Sequence, residues 1–235
     1  MKTRFIEYQD NDLTCEAYFA SPDESSKRPC ILIAHAWSGQ SDFEREKAEA
    51  LAKLGYHAFA IDMFGKGVRG KTVEENQALI APFMADRAVL RQRILAALSA
   101  AKALDCVDNN NVAAIGYCFG GLCALDLARS GADVKGVASI HGLFVPPNIA
   151  NGLIKAKVLA QHGYDDPMVP PEAVLALAKE LTDAGVDWQL HAYGLTQHAF
   201  TNPEANNPDL GTIYSETANR RSWQSLQNFL AELFA

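Results

Sequence analysis

The chain predicts an α/β fold in which a mostly parallel central sheet carries helices on both faces. Three observations lead there: short, almost wholly apolar runs with β-forming residues, helix-length segments between most of them, and an alternating N-terminal pair split by a turn.

Residues 4–8 and 13–20 read as an antiparallel hairpin turning across residues 10–12, which adds an antiparallel edge to the sheet. Residues 30–36 (CILIAHA) form the first buried strand, residues 44–54 a helix, and residues 57–61 (HAFAI) the next strand. A long helical stretch over residues 73–104 should break around Pro82, because proline removes a backbone donor and its ring collides with the preceding turn. Then come a strand at 112–116 (VAAIG), a helix at 122–130, and strands at 134–141 (VKGVASIH) and 157–162 (KVLAQH). A helix at 172–184, an alternating strand at 187–193 (DWQLHAY) suited to an edge, and a helix at 216–234 complete the order.

At 235 residues, 49% hydrophobic and 21% charged, the chain has a globular composition and enough length to bury a core, so one domain over residues 1–235 is expected. A net charge of -7 disfavours nucleic acid or an anionic membrane as the main partner, since both repel the average surface. No apolar run approaches the roughly 20 residues of a spanning helix. The start, MKTRFIEYQDND, lacks the apolar core of a signal peptide. Five cysteines at 15, 30, 106, 118 and 123 are an odd number without metal-ligand spacing. They read as reduced thiols of a cytoplasmic protein, with no disulfide framework and no zinc.

Ligands of open α/β sheets bind beyond the carboxyl ends of the strands, which directs attention to the loops there. Gly116-Tyr117-Cys118-Phe119-Gly120 fits the G-x-nucleophile-x-G elbow with cysteine in the nucleophile position. Glycines on either side avoid collisions at a strained turn, and the following helix N-terminus favours a thiolate. The same turn offers the backbone N–H of Phe119 to a carbonyl oxygen. Downstream, HGYDDPMVP and YGLTQHAF each follow a strand, giving the chain order nucleophile, acid, histidine. Cys118, Asp166 and His198 are therefore the candidate catalytic residues. Asp166 is preferred to Asp165 because it stands just before the helix-starting Pro170-Pro171, leaving Asp165 as a turn residue. His57, His162 and His191 read as structural, and the other four cysteines as core.

Around the nucleophile, Trp37, Phe64, Phe83, Phe144 and Phe200 are candidates for an apolar wall, and His141 for the pocket border. Arg69, with Lys66, Lys71 and Arg87, could offer a cation to an acidic substrate, although solvated surface charge is the commoner role for all four.

From CILIAHA through GYCFGG and GYDDPMVP to TQHAF, the chain resembles the dienelactone hydrolase family, a branch of the α/β-hydrolase fold without a separate lid domain. The resemblance implies Cys118 as nucleophile, Asp166 as acid, His198 as base, and an oxyanion hole of the Trp37 and Phe119 N–H groups. It also implies a small ester or lactone as substrate and no metal or organic cofactor. Two positions depart from the family pattern: Ala36 replaces the glutamate that restrains the thiol, and Asn202 replaces the arginine that binds the lactone carboxylate. Two other classes stay open at this stage: a thiol-based redox sensor using Cys118, which peroxide turnover without esterase activity would favour, and a non-catalytic ligand-binding version of the fold.

Overall fold

The computed structural model describes residues 1–235. In chain order its elements are β1 (Lys2–Asp10), β2 (Leu13–Ser21), β3 (Arg28–Ala34), α1 (Asp42–Lys53), β4 (His57–Ala60), α2 (Val73–Ala85), α3 (Arg87–Lys102), β5 (Val107–Tyr117) and α4 (Phe119–Arg129). They continue with β6 (Gly136–Ile140), β7 (Lys157–Gly163), α5 (Pro171–Asp183), β8 (Trp188–Tyr193), β9 (Asn206–Asn207), a 3-10 turn at Pro208–Leu210, β10 (Thr212–Ile213) and α6 (Glu216–Leu233).

Eight strands make one sheet in the order β1-β2-β4-β3-β5-β6-β7-β8. The pairs β1/β2 and β2/β4 are antiparallel, and every later pair is parallel. Every residue of β4 and β6 is buried, as continuous apolar runs require when helices cover both faces. The outer strands β1 and β8 are only partly buried, in keeping with edge positions. One apolar layer packs α1 and α6 through Leu51, Leu226 and Leu230, and the other packs α2 to α5 through Phe83, Ile94, Leu122 and Leu177. No helix is long and apolar enough to cross a membrane.

The helix break falls at Asp86, four residues beyond the expected proline. Pro82 stays inside α2 and its carbonyl accepts the Asp86 N–H, while the Asp86 carboxylate caps α3 by accepting from the Ala88 N–H at 2.9 Å. The strand at 112–116 extends to Val107–Tyr117, and α4 begins at Phe119 rather than 122. The short β9/β10 pair and its 3-10 turn had no counterpart in the sequence reading.

Candidate active site

The strand β5 ends at Tyr117, and Cys118 follows it with φ 55° and ψ −119°, a conformation that side-chain-bearing residues rarely adopt. Close packing makes the turn possible. A Cβ on Gly120 would lie 2.1 Å from the Ala34 carbonyl oxygen, and one on Gly116 would lie 1.9 Å from the Gly120 oxygen. Only glycine lets α4 press this tightly against β3 and β5. The Cys118 N–H is shared between the Ile140 carbonyl and His141 Nδ1, each at 3.1 Å. Phe119 opens α4, so its N–H has no acceptor within the helix.

Beyond β3 a second loop faces this turn. His35 is fully buried, its Nδ1 donates to the Ala36 carbonyl at 2.6 Å, and its Nε2 accepts from the Met63 N–H at 3.0 Å. Burial holds its pKa below the usual imidazole value, consistent with that neutral tautomer. Glu44, in α1, accepts from the Ser41 N–H and hydroxyl at 2.8 Å each and from the Ala36 N–H at 3.3 Å. These two buried side chains fix the path of Ala36-Trp37-Ser38.

His198 lies past β8, in a loop held by the short β9/β10 pair. Its N–H donates to the Gly211 carbonyl at 2.9 Å and its own carbonyl accepts from Ile213 at 3.1 Å. Its Nδ1 stands 2.7 Å from Asp166 Oδ2, while Nε2 has no hydrogen-bond partner. Burial lowers the His198 pKa, but Cys118 and Asp166 outweigh it together and raise it to about 10. The other Asp166 oxygen accepts from the Met168 N–H at 2.8 Å, whereas Asp165 points into solvent. Gly211 has φ 66°, and a Cβ there would meet Pro167 Cγ at 2.2 Å, so the histidine's support rests directly on the acid's loop.

A cavity of about 340 Å³ brings Cys118, His198, Trp37, Phe119 and His141 together. His141 has φ 37°, is buried, and places Nε2 2.8 Å from the Thr201 hydroxyl, with its ring 5.3 Å from that of His198. Burial, reinforced by the charge of His198, keeps its pKa well below the usual value, so it stays neutral. Its Nδ1 can then accept from Cys118.

The other expected pocket residues lie elsewhere, which corrects the sequence reading. Phe64 and Phe83 pack with Phe119 in the interior, each ring centroid 5.8 Å from that of Phe119. Phe144 sits against His162, and Phe200 lies edge-on beneath His141 at 5.1 Å. Arg69 donates to the Gln40 and Val68 carbonyls, outside the cavity. Arg87 is no surface charge: it is buried and pairs with Asp126 at 2.7 Å. In their place the walls use Glu44, Gln77, Ile80, Leu210 and Thr212. Of these only Glu44 had a sequence signal, the capping-box spacing Ser41-x-x-Glu44. No group of three or more His, Cys, Asp or Glu side chains gathers as a metal site.

The profile of the Dienelactone hydrolase family matches residues 15–234. The protein K02A2.1 of Caenorhabditis elegans, itself uncharacterized, is 37% identical over 150 residues, which cover 62% of this chain and 95% of that one. Among solved structures, a dienelactone hydrolase-like promiscuous phosphotriesterase from metagenomic libraries is 36% identical, with a TM-score of 0.94 over 100% of this chain and 99% of its own. A structure called m3DLH is 35% identical, with a TM-score of 0.95 over the same shares.

Proposed function

The chain belongs to the dienelactone hydrolase family and is a hydrolase, and from that premise we propose that it cleaves small esters or lactones with Cys118 as nucleophile, His198 as base and Asp166 as orienting acid. One observation carries the reading: His198 is bound to Asp166 through Nδ1 at 2.7 Å, and its Nε2 is left without a partner in the cavity that holds Cys118. A histidine fixed on one side and free on the other is what a proton shuttle needs.

The raised pKa of His198 suits Nε2 to take the thiol proton as Cys118 attacks. The Cys118 sulfur adds to the acyl carbon, and the carbonyl electron pair moves to oxygen, where the Phe119 and Trp37 N–H groups receive it. Collapse breaks the carbon–oxygen bond, and the departing alkoxide takes the proton from His198 Nε2. Water then adds to the thioacyl carbon while His198 accepts its proton, and loss of the thiolate releases the acid and restores the starting pair. Asp166 keeps the imidazole in the required tautomer throughout.

The test is a burst measurement with 4-nitrophenyl acetate, followed by intact mass. An acyl adduct on Cys118 that is missing in Cys118→Ala supports the reading; undiminished turnover in Cys118→Ala overturns it. Phosphotriester cleavage is a second reading, favoured by the activity in the description of the 36%-identical structure. A neutral triester such as paraoxon tests it with the same two proteins. The oxidised-thiol alternative finds little support, since Cys123, the nearest thiol in sequence, is fully buried with its pKa pushed well up by burial.

A further inference from the structure

We infer that the cavity selects uncharged acyl donors, and that Glu44 is the residue that turns anionic ones away. The inference rests on the ester or lactone reading above and narrows its substrate class.

None of the 19 residues lining the cavity is lysine or arginine, and 11 are hydrophobic. Each cation that the sequence offered is engaged elsewhere. Lys66 binds Glu7 and Glu16, Arg69 donates to backbone carbonyls, and Arg87 is buried against Asp126. Lys71 borders a separate surface depression with Glu75. Lys47, one turn along α1 from Glu44, reaches over the rings of Phe43, Tyr117 and Trp223 and does not line the cavity. The only cation at hand is His198, and its charge answers Cys118 and Asp166.

Glu44, by contrast, belongs to the wall and is 1% exposed. Its carboxylate accepts from three donors, all of them uncharged: the Ser41 N–H, the Ser41 hydroxyl and the Ala36 N–H. Such donors spread the negative charge, and the one ammonium that feels it, Lys47, is not part of the cavity lining. A substrate carboxylate entering here would give up its water, find no counter-ion, and share a low-dielectric space with Glu44. A neutral chain meets mainly the apolar walls of Ile80, Leu143, Met168 and Leu210.

The experiment compares the 4-nitrophenyl monoester of adipic acid with the same ester methylated at its distal carboxylate, following nitrophenolate release from both. The methylated ester should have a kcat/KM at least about tenfold higher, since juxtaposed like charges are strongly disfavoured. Glu44→Gln keeps a capping side chain and should bring the ratio toward one, chiefly through KM for the anionic ester. Gln77→Lys, on the exposed side of α2, adds a cation to the same wall and should shift the ratio the same way even if Glu44→Gln folds poorly. If neither ester turns over, the ratio is read as dissociation constants on Cys118→Ala by calorimetry. A parent ratio at or below one, or a ratio unmoved by both substitutions, overturns the inference. Full turnover of either ester by Cys118→Ala instead overturns the nucleophile and leaves the charge preference standing.

Discussion

The two sides of the cleft are built in opposite ways. On one side, Cys118 is held by its immediate chain neighbours: a long strand, a turn at φ 55°, and a helix pressed in by Gly116 and Gly120. On the other, His198 depends on residues more than ten positions further on, through Gly211 and Ile213, with Gly211 resting on Pro167. The proposed nucleophile is placed by a local motif, whereas its proposed base must be delivered by tertiary contacts. That contrast says where each half is vulnerable.

The largest effect is expected at the elbow. Gly120→Ala would drive a Cβ into backbone atoms of Ala34 and His35, at 2.1 and 2.7 Å from their carbonyl oxygens. Backbone cannot step aside cheaply, so a loss of about 4 kcal/mol or more is expected in urea denaturation. A soluble variant within about 1 kcal/mol of the parent would mean that the elbow is softer than its packing implies.

Next is Asp166→Asn, which should leave stability nearly intact yet lower kcat by about 10³-fold or more, because an amide supports the wrong imidazole tautomer. Equal losses in stability and activity would make Asp166 a structural residue. Gly211→Ala should be milder. The αL backbone and the contact with Pro167 cost about 1–2 kcal/mol, and His198 should shift enough to lower kcat more than it raises KM. If kcat were untouched, the short β9/β10 pair would not be what positions the histidine.

The smallest effect separates the halves by pH. A folded-state pKa raised to about 10 means that the His198 contribution to stability is fully present below the unfolded value of about 6.5. It is lost as pH rises through about 10. Only the part of that rise owed to Asp166 comes without a compensating proton loss at Cys118, so between those limits the parent should lose stability relative to His198→Ala by well under the ~1.4 kcal/mol per pH unit of an isolated group. Parallel curves for the two proteins would remove the raised pKa.

The same contrast explains what could be read from the sequence. The sheet, its helices and the antiparallel edge were legible because continuous apolar runs and 3.6-residue periodicity are local patterns. GYCFGG announced a turn for the same reason, and Asp166 was separable from Asp165 by its distance from Pro170. The cavity walls were not legible. An aromatic residue after a strand does not reveal which way it faces, so Phe64, Phe83, Phe144 and Phe200 were expected around substrate but pack in the interior. Gln77 and Ile80 reach the site only because α2 folds across it, and Leu210 and Thr212 only because a short strand pair returns to His198. Arg87 looked like a solvated charge because its partner, Asp126, lies on another helix.

The accessibility of the thiols has a practical consequence. Cys15, Cys30, Cys106 and Cys123 are buried, with pKa values pushed up by burial, and Cys118 alone is partly open. Towards a dilute maleimide dye the folded protein should therefore behave as a single-cysteine protein without any engineering. A fluorophore would attach at the bottom of the cleft, and the four remaining sulfurs would react only on unfolding, so the dye-to-protein ratio doubles as a count of intact molecules.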